Sequence, residues 1–161
     1  MLAIVGRPGA WLPAGFDVID QHGADFAARL ANAWSEAGGP GFQIGMDTPQ
    51  ITPALLDVAL DQLAAGQSAV LGRALDGGWW GVGFQEPPVG AFDGVMMSRS
   101  DTADQQVARL ESLGMSVHEV APLRDVDTWE DALAVAAEVP DARFGAAVTS
   151  VASSSMGSSK R

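Results

Sequence analysis

Residues 42–72 read FQIGMDTPQITPALLDVALDQLAAGQSAVLG, and this stretch decides the fold. It predicts a short apolar strand over Phe42–Gly45, a helix over Pro53–Ala65 and a second apolar strand over Ser68–Gly72. Thr52 can cap the helix, and a proline at the first helical position and a glycine after the last one are usual helix-end residues. A strand, a helix and a strand in this order form a βαβ unit, which is typical of an α/β protein with parallel strands.

The rest of the chain continues the alternation of strands and helices. Predicted strands cover Leu2–Gly6, Trp79–Phe84 and Ser116–Val120, and predicted helices cover Ala24–Ala37, Thr102–Leu113 and a segment that begins at Thr128. This pattern predicts an α/β fold with a layered, mainly parallel sheet flanked by helices. We expect a single domain over residues 1–145 and a disordered, serine-rich tail over residues 146–161.

The composition is that of a folded, strongly acidic protein. Of its 161 residues 47% are hydrophobic, and 20 acidic against 9 basic side chains give a net charge of −11. This charge argues against nucleic acid or an anionic membrane surface as a partner, because either would be repelled. Lys160 is the only lysine, so a phosphate ligand would need arginines, backbone N–H groups or a divalent cation. The acidic surplus favours the cation.

Two absences narrow the chemistry and the location. The sequence has no cysteine, which excludes disulfides and thiolate metal sites. No apolar run approaches the roughly 20 residues that span a bilayer, and the first six residues lack the basic leader of a signal peptide. We therefore expect no membrane span and a cytoplasmic location.

Carboxylates follow two of the predicted strands. Asp47 lies two residues after the predicted strand Phe42–Gly45, and Asp125 and Asp127 lie between the last predicted strand and the last predicted helix. Open α/β sheets bind ligands at the carboxyl ends of their strands, and one or two carboxylates suffice for magnesium. Asp125 and Asp127 are expected to point to opposite sides of an extended loop, so Asp127 alone is assigned to the metal. The alternative is that these aspartates only cap a turn or complement a helix N-terminus.

The segment Asp76-Gly77-Gly78-Trp79-Trp80 is a third candidate. Two glycines let a backbone approach a ligand closely, and adjacent tryptophans on a strand point to opposite faces. One tryptophan can then pack in the core while the other lines a cleft, and Asp76 could bind a sugar hydroxyl or a cation. The structural alternative is a glycine hairpin turn beside two core tryptophans.

Four segments together resemble the motifs of a known family. They are Gln21-His22-Gly23-Ala24-Asp25 followed by Arg29, Gly45-Met46-Asp47-Thr48-Pro49-Gln50 followed by Thr52, Asp76-Gly77-Gly78-Trp79-Trp80, and Leu123-Arg124-Asp125-Val126-Asp127-Thr128. They are similar to motifs of the bacterial glycosyltransferase-like family of arsenosugar-biosynthesis type, a branch of the nucleotide-diphospho-sugar transferase (GT-A) superfamily. Phe26-Ala27 and Trp129 depart from that pattern, which has Leu-Gly and proline there.

The resemblance implies a metal-dependent transferase that acts on a nucleotide-activated sugar. It assigns Asp47 and Asp76 to catalysis, and Asp47 with Asp127 to Mg²⁺ or Mn²⁺ near the diphosphate. It assigns substrate contacts to Gln21, Gly23, Asp25, Arg29, Thr48, Gly77, Gly78, Trp79, Trp80 and Asp125. A nucleotidyltransferase that releases pyrophosphate is the alternative within the superfamily. The base, the sugar and the acceptor stay open.

The beginning of the chain departs from the family. Its members begin with a strand and a glycine-rich, basic loop that grips the nucleotide, whereas Leu2–Gly6 resembles the strand that follows them. We therefore expect a GT-A-like fold that is N-terminally truncated and has an exposed sheet edge. Because such an edge can pair with another chain, a homo-oligomer or a non-catalytic remnant that binds a partner chain is the alternative.

Overall fold

The computed structural model describes residues 1–12 and 14–158. The elements are β1 Leu2–Ile4, β2 Val18–Asp20, α1 Phe26–Ala37, β3 Gly41–Ile44, α2 Pro53–Ala64, β4 Ala69–Ala74, β5 Trp79–Phe84, α3 Thr102–Ser112, β6 Val117–Leu123, α4 Trp129–Glu138 and α5 Arg143–Ser158. Strands and helices therefore alternate much as the sequence predicts. The sequence did not predict β2 or α5.

The main sheet is mixed, so the prediction of a mainly parallel sheet is wrong. Its strand order is β3-β5-β4-β6, with β5 antiparallel to both neighbours and β4 parallel to β6. The reason is the short turn of residues 75–78 between β4 and β5, in which Gly77 has φ of 96°. So short a connection can only return the chain antiparallel. The two strands of the βαβ unit are thus parallel, but β5 lies between them.

Helices cover both faces of this sheet, and neighbouring residues of β4 point to different faces. Leu71 packs with α1, α3 and the loop between β5 and α3 in the largest core cluster, which also contains Leu30, Trp34, Val82, Phe84, Phe92 and Leu110. Val70 packs on the other face with Ala59 and Leu63 of α2. The core therefore lies directly on β4 and β5.

The last helix falls where the sequence predicts a disordered tail over residues 146–161. Helix α5 spans Arg143–Ser158 and packs on α4, because Phe144 and Val148 lie one helical turn apart and meet Ala132 and Ala136. Serine and threonine hydroxyls of α5 donate to carbonyls four residues earlier, as Ser153 does to Thr149 at 2.8 Å. Residues 159–161 of the predicted tail lie outside the described residues.

A second, smaller sheet stands apart from the main one. It consists of β1 and β2, which are parallel to each other. Within residues 1–12 and 14–158, β3 is an edge strand that pairs only with β5. None of the helices in the described part of the chain combines the length and the hydrophobicity that crossing a membrane requires.

Candidate functional site

Four aspartates line one cavity of about 310 Å³ at the edge of the main sheet. Asp47 follows β3, Asp76 lies in the turn after β4, and Asp125 and Asp127 lie between β6 and α4. Strands β3, β4 and β6 run in the same direction, because β3 and β4 are both antiparallel to β5 and β6 is parallel to β4. Their carboxyl ends therefore meet at one edge, which is where open α/β sheets hold ligands.

Three of these aspartates form a compact cluster. One carboxylate oxygen each of Asp76, Asp125 and Asp127 lies within 4.8 Å of the other two. The expectation that Asp125 and Asp127 point apart is therefore wrong, since residues two apart in an extended segment share a face. Asp47, the first predicted metal ligand, lines the same cavity but is outside the cluster.

The cluster carries unbalanced negative charge. Burial raises the pKa of Asp125, and the neighbouring carboxylates of Asp76, Asp127 and Asp47 raise it further. No lysine or arginine is among the described residues that line the cavity. Carboxylate oxygens without a basic neighbour suit Mg²⁺ or Mn²⁺, so the donor set fits the cofactor that the sequence predicts.

Hydrogen bonds connect the two acidic loops, which are the loop after β3 that carries Asp47 and the loop after β6 that carries Asp125 and Asp127. The Gln50 side-chain amide donates to the carbonyl of Arg124 at 2.5 Å, and the Val126 N–H donates to the carbonyl of Asp47 at 2.9 Å. Gln50 is only 6% exposed. Thr48, a predicted substrate contact, is also buried and does not line the cavity. These bonds set the position of Asp47 relative to the segment that carries Asp125.

The Asp76 turn is a glycine hairpin turn and also part of the cavity wall. The Asp76 carboxylate accepts from the Gly78 N–H at 2.7 Å. A Cβ on Gly77 would lie 1.9 Å from the carbonyl oxygen of Ser100, so only glycine lets that loop approach the turn. Gly78 and Trp79 line the cavity, whereas Trp80 is buried in the core and donates to the carbonyl of Ala121 at 3.1 Å.

The remaining predicted contacts lie around the start of α1, where Asp25 and Gly23 have structural roles. Asp25 caps α1 by accepting from the Ala28 N–H at 2.8 Å. A Cβ on Gly23 would lie 2.6 Å from the backbone nitrogen of Arg29, so glycine at this position lets the chain pack against the start of α1. Gln21, Gly23, Asp25 and Arg29 are not among the described residues that line the cavity. The same helix instead contributes Phe26 and Leu30.

Other cavity residues were not singled out from the sequence. They are Gln43 and Ile44 of β3, Gly45 after it, and Met97, Ser98 and Thr102 near the start of α3. Gln43 and Ile44 could have been found, since they end the strand that leads to Asp47. The residues near α3 carry no local signal, because long-range contacts bring them to this edge: the Ser100 backbone lies against Gly77, and the Ala103 N–H donates to the Gly77 carbonyl at 2.9 Å.

The fold and the site define a class of protein, a mixed α/β protein with an acidic cavity at the carboxyl edge of its sheet. A family model described as "uncharacterized protein conserved in bacteria" (DUF2064) matches residues 4–99, and the chain belongs to this family. A search of curated proteins finds no match.

One solved structure is similar to most of the chain. It is the crystal structure of a protein from Desulfovibrio desulfuricans G20 described as a "putative nucleotide-diphospho-sugar transferase". The TM-score is 0.75 at 26% sequence identity, over 84% of this chain and 61% of that one. The chain therefore spans about three-fifths of the length of that protein. Together the two matches support the nucleotide-diphospho-sugar transferase superfamily.

Proposed function

We propose that this chain is a glycosyltransferase-like, metal-dependent transferase that acts on a nucleotide-activated sugar. The observation that carries the proposal is the cluster of Asp76, Asp125 and Asp127 in a ligand-sized cavity at the carboxyl edge of the sheet. The similarity to the Desulfovibrio protein supports the class of reaction. The motifs near Asp47 and Asp76 favour the arsenosugar-biosynthesis-type branch.

The three clustered carboxylates would hold Mg²⁺ or Mn²⁺, and Asp47 would complete the acidic wall. Bound there, the metal would supply Lewis-acid stabilisation of the departing diphosphate. The protein needs such a cation, since a diphosphate would otherwise be repelled by the carboxylates around it. Gly78 and Trp79, which line the same cavity, would face the sugar.

A thermal-shift panel tests this proposal. UDP, GDP, CDP and their sugar conjugates are each added with Mn²⁺, with Mg²⁺ and with a chelator, because a ligand that binds the native state raises the apparent Tm. We expect a shift that requires both the metal and one base. Asp127→Asn should abolish that shift, whereas Asp57→Asn, the same change on the exposed face of α2, should retain it.

Two results would contradict the proposal. A folded wild-type protein that shows no metal-dependent shift with any nucleotide has no such site. A shift that Asp127→Asn retains would remove the acidic cluster from metal binding. Release of pyrophosphate from a nucleoside triphosphate and a phosphorylated sugar would instead establish the nucleotidyltransferase reaction within the same site.

The open edge of β3 favours a second candidate function, the binding of a partner chain. Gly41–Ile44 pair only with β5 in the described part of the chain, and Ile44 is 42% exposed. An unpaired edge of this kind is a template for strand addition. Size-exclusion chromatography with light scattering checks this role. A monomer that stays monomeric with candidate partners, and shows the nucleotide shift, rules it out.

A further inference from the structure

One wall of the cavity is neutral and polar rather than acidic. It contains Gln43 of β3, Trp79 of β5, Ser98 of the loop before α3 and Thr102, the first residue of α3. Gln43 Oε1 and Trp79 Nε1 are both buried and have no hydrogen-bond partner in the part of the chain that the structure describes. A buried polar atom without a partner costs free energy, and a ligand that supplied the missing bonds would recover it.

Ser98 faces the same cavity in an unusual backbone conformation. Its φ is 59°, and it is the one described non-glycine residue with a positive φ, whereas the nine others with positive φ are all glycine. Sterically strained residues of this kind collect at ligand sites, where the surrounding structure holds them in place.

Hydrogen bonds on both sides of Ser98 hold that conformation. The Thr102 hydroxyl donates to the carbonyl of Met96 at 2.8 Å and accepts from the Arg99 N–H at 3.0 Å. The Met96 N–H donates to Gln105 Oε1 at 2.9 Å. The Thr102 hydroxyl is thereby committed to the loop itself, and Ser98 supplies the exposed hydroxyl on this wall.

We propose that Gln43 Oε1, Trp79 Nε1 and the Ser98 hydroxyl form a subsite that binds the hydroxyl groups of a sugar-like ligand. An amide oxygen accepts, an indole N–H donates and a serine hydroxyl does either, so the set matches groups that are both donors and acceptors. A phosphate would suit it poorly, because phosphate oxygens cannot donate to Gln43. This inference rests on the proposed function and assigns the sugar to the neutral wall.

The test compares ligands with and without the sugar on full-length protein. Kd values are measured by titration calorimetry for UDP-glucose against UDP and for GDP-mannose against GDP, all with Mn²⁺. The wild-type protein should prefer the sugar conjugate of the base that it binds. Gln43→Leu and Ser98→Ala should each reduce that preference about threefold to tenfold and leave the Kd for the bare diphosphate unchanged. Ser100→Ala, in the same loop but outside the cavity lining, is the matched control.

The outcomes separate the two proposals. If the wild-type protein binds no nucleotide in the presence of Mn²⁺, the proposed function fails and the subsite with it. If it binds a sugar conjugate and both variants keep the wild-type preference, the subsite alone is wrong. Ser98→Gly completes the series, since it removes the hydroxyl and relieves the backbone. Loss of preference in Ser98→Gly as well as Ser98→Ala assigns the effect to the hydroxyl, whereas wild-type preference in Ser98→Gly removes Ser98 from the subsite.

Discussion

The N-terminal sheet and the β4–β5 hairpin contain similar apolar residues but are supported very differently. Every residue of β4 and β5 except Arg73 and Trp79 is buried. Among the described residues before α1, Ile19 is the one buried side chain, and Met1, Val5, Trp11 and Phe16 are all exposed. The acidic cavity is attached to the hairpin, so the candidate site rests on the best supported part of the molecule.

The largest difference should appear when one apolar side chain is shortened in each region. Leu71 of β4 is fully buried, so Leu71→Ala should lower the free energy of unfolding by about 2 to 5 kcal/mol. Val5 is 72% exposed, so Val5→Ala should change it by less than about 0.5 kcal/mol. Urea denaturation of both variants measures this. Equal losses would show that the N-terminal segment packs as firmly as the hairpin.

Gly77 tests how far the cavity depends on the hairpin turn. Gly77→Ala should lower the free energy of unfolding by about 2 to 4 kcal/mol, because alanine is strained at this positive φ and its Cβ would meet the Ser100 backbone. Gly66→Ala is the matched control, since Gly66 has φ of 99° and nothing within 4 Å of an added Cβ. It should cost only the backbone penalty of about 1 kcal/mol.

Metal binding separates these two glycine variants further. Gly77→Ala should also weaken Mn²⁺ binding in calorimetric titrations, because the loop that moves carries part of the cavity wall. Gly66→Ala should leave Mn²⁺ binding unchanged. Equal stability and equal metal affinity in the two variants would show that the Ser100 contact does not support the site.

The sequence predicted the features that neighbouring residues determine and missed those that depend on contacts between distant parts of the chain. The helix-end residues and apolar faces of α1, α2 and α4 are local signals, and they placed those helices well. Strand β5 was predicted with its observed bounds, but its antiparallel direction was missed, because that direction follows from the short connection after β4 and not from the apolar pattern of the strand. The sequence identified the aspartates but not the cluster that they form, because Asp76 and Asp125 come together only through the pairing of β4 with β6. Helix α5 was not predicted, because the serines of that segment hide the turn-spaced contacts of Phe144 and Val148 with α4.

Gln50 tests the link between the two acidic loops. Gln50→Met keeps the buried volume but removes the donor to the Arg124 carbonyl, so it should cost about 1 to 2 kcal/mol of stability. Because the bond positions Asp47 against the segment of Asp125, Mn²⁺ affinity should also fall by about tenfold. Gln62→Met in α2 serves as the control for the substitution itself. An unchanged Mn²⁺ affinity in Gln50→Met would show that the loops are aligned by other contacts.

The acidic cluster should gain stability when one charge is removed. Asp125 is partly buried among three other carboxylates, so Asp125→Asn should raise the free energy of unfolding of the metal-free protein by about 0.5 to 2 kcal/mol. The same variant should lose the stabilisation that Mn²⁺ gives to the wild-type protein. Asp57→Asn, away from the cavity, should do neither. A metal-free Asp125→Asn that is less stable than wild type would contradict repulsion within the cluster.

Asp131 provides the opposite electrostatic case and the smallest effect. Its carboxylate accepts from the Thr128 hydroxyl at 2.7 Å and pairs with Arg124 at 2.9 Å, and these contacts lower its pKa. A lowered pKa in the folded state means that the carboxylate stabilises the fold above its ordinary pKa. This contribution is lost as the pH falls through the lowered value. The Tm of Asp131→Asn should therefore lie below that of wild type at neutral pH and approach it in acid. A Tm difference that stays constant with pH would show that the contacts of Asp131 do not depend on its charge.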